Sequence, residues 1–168
     1  MNNIILIGFM GCGKTSVGKE LAKAFECDFY DTDALIVSKK GQSISDIFAV
    51  HGESYFRNLE TNLIKDLIDQ ISNAVISVGG GLPIQPGNAE LLQRLGTVIY
   101  LKTSRESIKE RLLSDTTRPL LKNAEGESRL DELYTYREPI YQSASDLVIT
   151  TDNKGIDEIV YNILESRR

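Results

Sequence analysis

Residues 8–15 read Gly-Phe-Met-Gly-Cys-Gly-Lys-Thr, and this octapeptide constrains the fold more than any other stretch of the chain. It fits the pattern GxxxxGK[ST], which has mechanical meaning only between a buried strand and the start of a helix. Both flanks are present. Ile4 to Ile7 is wholly apolar and rich in β-branched residues, as a strand covered on both faces should be. After the loop, Val17, Leu21, Ala22 and Phe25 recur at helical spacing over Lys14 to Phe25. Gly8, Gly11 and Gly13 let the backbone wrap a polyphosphate without Cβ clashes. Successive N–H groups and the helix N-terminus then face the anion. Lys14 reaches the β and γ phosphates as a point charge, and the Thr15 hydroxyl is placed to ligate Mg2+. The competing reading is a glycine-rich helix start that holds no ligand.

The rest of the chain repeats the strand–helix alternation. Phe29-Tyr30, Val75 to Val78, Thr97 to Leu101 and Leu147 to Ile149 are further strand candidates. Between them lie helical faces built from Ile44, Ile47 and Phe48, and from Leu59, Leu63, Ile64, Leu67 and Ile68. A last face follows with Ile156, Ile159, Val160 and Ile163. Such alternation implies right-handed crossovers and an α/β fold, a five-stranded parallel sheet flanked by helices. The chain of 168 residues shows no linker, repeat or low-complexity run, so residues 1–168 are expected to form one domain. Ser114 to Ser128 breaks the rhythm with polar residues, Pro119 and Gly126, and reads as a lid or loop.

Charge narrows the function. The net charge of −5 argues against a general nucleic-acid binder or an anionic-membrane binder, so an anionic ligand must be held by a local cluster of bases. Two cysteines, Cys12 and Cys27, cannot build a disulfide framework, and one histidine, His51, excludes a site with two His ligands. No apolar run reaches the ~20 residues of a membrane span. The N-terminus lacks the basic region of a signal peptide. A cytoplasmic protein is the expectation.

Other residues carry candidate chemistry. Asp31-Thr32-Asp33 follows the second strand. If the backbone stays extended, both carboxylates face the crevice at the strand's carboxyl end. One could support Mg2+ and the other accept a hydroxyl proton; the alternative is that either caps a helix beginning near Ala34. Gly79-Gly80-Gly81 follows the third strand, and three successive glycines are costly to order unless backbone must approach a ligand closely. Arg57 and Glu60 stand three apart on a helix, so the acid can orient the base. Arg111 and Arg137 lie near helix ends, and Arg118 opens the polar insertion. His51 reads as a helix-end residue and Cys27 as a small residue at the start of strand two. Cys12 is either a thiol tuned by the phosphate loop or a small tolerated side chain.

The chain resembles the shikimate kinases. The resemblance runs over nearly the whole length through IGFMGCGKTSVG, FYDTD, GESYFRNLE, SVGGG, RPLL and YREPIYQSASDLVI. It implies a sheet similar to that of nucleoside monophosphate kinases, with an acceptor-binding region at about 33–61 and a lid at about 114–128. It also implies transfer of the ATP γ-phosphoryl group to the 3-hydroxyl of shikimate, with Mg2+ as cofactor, ATP and shikimate as partners, and a monomer. Carried over by position, Gly11, Cys12, Gly13, Lys14, Thr15 and Ser16 would form the ATP loop. Thr15 and Asp31 would hold Mg2+, and Asp33 would bind ring hydroxyls and act as base. Arg57 and Arg137 would clamp the acceptor carboxylate, Gly79, Gly80 and Gly81 would offer backbone groups, and Phe48 and Phe56 an apolar wall. Lys14 and Arg118 would stabilise the moving phosphoryl group, with Arg118 on the lid and Arg111 near adenine. The loop after strand five, Thr150-Thr151-Asp152-Asn153-Lys154-Gly155, lacks the proline found there in many relatives. Two alternatives stand beside this one: a gluconate or nucleotide kinase of similar fold, and a nucleotide sensor that binds ATP without transfer.

Overall fold

The computed structural model describes residues 2–114 and 124–167. Five strands form one sheet: β1 (Asn3–Ile7), β2 (Asp28–Asp31), β3 (Ala74–Ser77), β4 (Gly96–Lys102) and β5 (Leu147–Thr150). They lie in the order β2-β3-β1-β4-β5, and every pair is parallel. Each coincides with an apolar run read from the sequence, with ends shifted by about a residue. The helices are α1 (Lys14–Ala24), α2 (Thr32–Lys40), α3 (Ile44–His51), α4 (Glu53–Gln70), α5 (Asn88–Leu95), α6 (Arg105–Ser114), α7 (Ala124–Ala144) and α8 (Ile156–Glu165). No helix among the described residues is long and apolar enough to cross a membrane.

The pleat of β1 explains why its sequence is apolar throughout. Successive side chains point to opposite faces. Ile4 and Leu6 join Val17 and Leu21 of α1 and Ile159 and Ile163 of α8 on one face. Ile5 and Ile7 meet Leu63 and Ile64 of α4, Leu92 of α5 and Tyr141 of α7 on the other. With both faces covered, β1 is the central strand. The register sets Leu6 beside Ser77, and Ser77 beside Asp31. The loops that follow β1, β2 and β3 therefore leave the sheet at one level.

Three features differ from the sequence expectations. Residues 124–128, read as part of the polar insertion, begin helix α7; residues 115–123 lie outside the described residues. Arg137 sits well inside α7 rather than near its end, because the helix runs on through Pro139. Proline removes one N–H, here the donor to the Thr135 carbonyl. The turn beyond survives because Tyr141 and Ala144 are buried against the sheet. Helix α5 has no counterpart among the expectations.

The opposite end of the sheet is tied by one polar side chain. Buried Asn3 donates from Nδ2 to the carbonyls of Ile71 (2.9 Å) and Leu95 (3.0 Å), and its Oδ1 accepts from the Ala74 N–H (3.0 Å). Asn3→Leu leaves three backbone groups without partners and is expected to lower unfolding free energy by about 2–4 kcal/mol. Urea denaturation reads this, and a loss below about 0.5 kcal/mol, the size of an ordinary surface substitution, would contradict the role.

Candidate active site

The loop between β1 and α1 takes the conformation its glycines permit. Gly8, Gly11 and Gly13 have φ of 147°, 77° and 94°, values that other residues adopt at a cost. At Gly8 a Cβ would also stand 2.8 Å from both Cys12 Sγ and the Leu101 carbonyl oxygen. No side chain caps α1, so its first-turn N–H groups remain available to an anion. The Lys14 ammonium curls back over the loop and donates to the carbonyls of Gly8 (2.8 Å) and Phe9 (3.1 Å). Cys12 is buried beneath the loop with its Sγ 3.7 Å from Lys14 Nζ. Its side chain belongs to the core rather than the cleft. Arg111 reaches across from α6 and donates to the Gly11 carbonyl (3.2 Å).

The two carboxylates after β2 reach the same cleft by a route different from the extended one expected. The strand stops at Asp31 and α2 begins at Thr32. Asp31 serves both readings at once. Its Oδ1 caps α2 by accepting from the N–H groups of Asp33 (3.0 Å) and Ala34 (3.1 Å). Its Oδ2 accepts from the Thr15 hydroxyl (3.3 Å). Asp33 stands in the first turn of α2. A cleft of about 300 Å3 is lined by Lys14, Thr15, Ser16, Asp31, Asp33, Gly79 and Gly80, among others.

The glycine run is where distant parts of the chain converge. Around Gly79, a Cβ would lie 2.9 Å from Asp33 Oδ1 and 2.9 Å from Glu60 Oε1. Around Gly80 it would lie 3.4 Å from Arg137 Nη1 and 3.4 Å from the Tyr141 hydroxyl. At Gly81 it would collide with the Arg57 guanidinium. Gly79 and Gly81 are therefore spacers: side chains of α2 and α4 occupy the room a Cβ would need, while at Gly80 a Cβ would meet Arg137 and Tyr141 of α7 at contact distance. Arg57 pairs with Glu60 (2.8 Å) and Glu53 (3.1 Å). It sits over the Phe56 ring at 5.5 Å, while Arg137 sits over Phe9 at 6.0 Å. Phe48 and Phe56 pack against each other with ring centres 4.8 Å apart and planes tilted by 41°.

Electrostatics at the run are tight. The Glu60 side chain is 1% exposed, and its Oε1 has no hydrogen-bond partner among the described residues. Burial pushes its pKa up from 4.5 to about 7; Arg57 opposes the shift and Asp33 adds to it. Burial works against the Arg57 charge, yet hydrogen bonds and attraction from Glu60 and Glu53 hold its pKa above the ordinary value.

Other expected residues fall elsewhere. Arg118 lies outside the described residues. His51 ends α3, exposed, with its ring 4.4 Å from that of Tyr55. Cys27 directly precedes β2, half-buried. No group of three or more His, Cys, Asp or Glu among the described residues could hold a metal by itself. The loop after β5, which lacks a proline, is held by Asp152, which accepts from the Ser104 N–H (3.0 Å) and hydroxyl (2.8 Å). Two further groups were not singled out from sequence. The Thr32 hydroxyl accepts from the Gly79 N–H (3.1 Å), and the Tyr141 hydroxyl donates to the Gly80 carbonyl (2.6 Å). Both lay within quoted segments, DTD and YREPIY, but a Thr between two acids and a Tyr at helical spacing read equally well as packing.

A family model described as shikimate kinase matches residues 10–168. The chain belongs to the shikimate kinase family. It is 42% identical over 165 residues to a shikimate kinase of Legionella pneumophila, covering 98% of this chain and 94% of that protein. It is 43% identical over 152 residues to one of Caldicellulosiruptor bescii, covering 90% and 87%. The structure of shikimate kinase from Acinetobacter baumannii in complex with shikimate superposes with a TM-score of 0.90 at 35% identity, covering 99% of this chain and 93% of that one. That from Aquifex aeolicus gives 0.87 at 36% identity, covering 98% and 95%. The activity is accordingly that of a kinase that phosphorylates shikimate.

The state of Glu60 has a measurable consequence. Its folded pKa of about 7 stands above its ordinary 4.5. The folded chain therefore keeps a proton that the unfolded chain has already released, and stability falls as pH rises through that window. Glu60→Gln stays neutral and loses less stability than the wild type between pH 4.5 and about 7. Urea midpoints measured across the window check this; equal slopes for the two proteins would contradict it.

Proposed function

We propose that the chain transfers the γ-phosphoryl group of ATP to the 3-hydroxyl of shikimate, giving shikimate 3-phosphate and ADP, with the residues of this cleft in defined roles. The observation that carries the reading is the meeting of two arginines from α4 and α7 at a glycine run that borders the phosphate-loop cleft. An arginine fork meets a carboxylate through two hydrogen bonds, so Arg57 and Arg137 clamp the acid group of the acceptor. Gly79, Gly80 and Gly81 offer backbone groups to the ring, and Phe48 and Phe56 close its apolar side. This directs an acceptor hydroxyl toward Asp33, which takes its proton as transfer proceeds.

The phosphate side follows from positioning and charge, which dominate phosphoryl transfer. The N–H groups from Gly11 to Ser16, Cys12 included, surround the phosphates. Lys14 gives up its bonds to the loop carbonyls for the phosphoryl oxygens. Arg111 lies against the nucleotide, and the family resemblance assigns Arg118, which lies outside the described residues, to the phosphates. Thr15 and Asp31 fit Mg2+: a hydroxyl and a carboxylate oxygen 3.3 Å apart are hard donors, and phosphate and water oxygens complete such a shell. Held by Thr15 and Asp31, Mg2+ would supply neutralising charge at the phosphoryl oxygens. In this reading these groups form one domain that acts as a monomer in the cytoplasm.

Two measurements test the roles. In a coupled ADP-release assay, shikimate is expected to turn over while gluconate and nucleoside monophosphates do not. In the same assay Arg57→Ala raises the shikimate KM by roughly 30-fold or more, the loss of a buried charge pair, with the ATP KM little changed. A parallel rise in both would remove Arg57 from acceptor recognition. Asp33→Asn keeps the shape but loses the base, and is expected to lower kcat by about 100-fold or more while ATP affinity persists. A collapse of ATP affinity with kcat preserved would assign Asp33 to the nucleotide instead.

A further inference from the structure

Strand β3 ends at Ser77, so no sheet partner fixes the glycine run that follows. Glycines lose more freedom on ordering than any other residue, and three in a row need outside ties to hold one conformation. The ties are few. The Gly79 N–H donates to the Thr32 hydroxyl (3.1 Å), and the Gly79 carbonyl accepts from the Leu82 N–H (3.0 Å). The Gly81 carbonyl takes a long bond from Gln85 (3.4 Å). The middle residue, Gly80, is held by the Tyr141 hydroxyl at 2.6 Å, the shortest of these.

We infer that Tyr141 is a positioning residue for the acceptor site, whose hydroxyl fixes the Gly80 backbone beside the Arg137 guanidinium; the inference rests on the reading of Gly79 to Gly81 and Arg137 as acceptor-binding groups. Three observations converge on it. The ring is wholly buried and braced against Tyr100 of β4, with centroids 5.4 Å apart, so the hydroxyl cannot wander. Arg137 and Tyr141 stand four apart on α7, on one face of the helix. Arg137 Nη1 and the phenol oxygen are each 3.4 Å from the place of a Gly80 Cβ, so the guanidinium and the hydroxyl flank the same backbone residue. Burial lifts the phenol's pKa to about 12 against the pull of Arg137, so the group stays protonated and keeps its hydrogen on the Gly80 carbonyl. Tyr141 thus does for the backbone of the run what Glu60 does for Arg57: it sets a recognition group before the acceptor arrives, which improves binding by lowering the cost of ordering.

The experiment compares Tyr141→Phe, Tyr134→Phe and Arg137→Ala by steady-state kinetics and thermal unfolding. Tyr134 is the control, since its hydroxyl makes a comparable buried bond from the same helix to the Thr103 carbonyl (2.9 Å), away from the glycine run. Tyr141→Phe is expected to raise the shikimate KM about tenfold, the effect of one lost hydrogen bond, and to leave the ATP KM unchanged. Tyr134→Phe is expected to lower thermal stability comparably without touching the shikimate KM. A Tyr141→Phe enzyme with an unchanged shikimate KM, or with both substrate KM values shifted together, overturns the inference. If Arg137→Ala raises the shikimate KM and Tyr141→Phe does not, only the inference falls. If Arg137→Ala leaves that KM unchanged, the acceptor reading fails and takes the inference with it. Should Tyr141→Phe not fold, Gly80→Val probes the contact from the other side, because its branches extend beyond a Cβ place already 3.4 Å from both partners. A shikimate KM that stays put in that variant overturns the inference as well.

Discussion

The in-register parallel pairing of β2, β3 and β1 is the constraint on which the rest of the structure depends. Leu6, Ser77 and Asp31 lie side by side, so three separate loops start from one line. A phosphate loop, a carboxylate pair and a glycine run become neighbours only because of that alignment. In open parallel sheets ligands bind outside the carboxyl ends of the strands, and here each of three adjacent ends delivers a different chemical function. The burial of β1 on both faces holds the register, because a slip would place its side chains against the wrong partners.

A chain of net charge −5 that must hold anions concentrates its positive groups locally. The structure shows what holds each positive group in place. Arg57 is tied to Glu60 and Glu53, and Arg137 rests on an aromatic ring. Lys14 is held by backbone carbonyls. Each cation is held in place by its own support, so little reorganisation is left for the moment of binding. The glycines carry the geometric side of the same arrangement, since a side chain at Gly79 or Gly81 would displace a functional group.

Local chemistry was legible in the sequence and long-range convergence was not. The phosphate loop could be read because strand, glycines, lysine and helix are contiguous. The Arg57–Glu60 pair could be read because both residues sit on one helix three apart. Asp31 was read as either cap or ligand, and the structure uses one oxygen for the cap and turns the other to Thr15. The course of α7 departs from the sequence expectation because proline is a strong local breaker, and burial of Tyr141 and Ala144 beyond it outweighs one missing bond. Tyr141 and Thr32 were passed over because their partners are backbone atoms of glycines 61 and 47 positions away. No period or spacing encodes a contact of that kind. The resemblance to shikimate kinases supplied the convergence of Arg57 and Arg137 that spacing could not, and the geometry now places both at the glycine run.

The central claim is that the acceptor's carboxylate lies between Arg57 and Arg137, with its reacting hydroxyl turned toward Asp33 and the phosphate loop. A crystal structure of the chain with Mg2+, ADP and shikimate tests it most directly. The account predicts shikimate density over Gly79 to Gly81, its carboxylate within hydrogen-bond distance of both guanidinium groups. Shikimate bound elsewhere, or oriented with its carboxylate toward the phosphate loop, would contradict it.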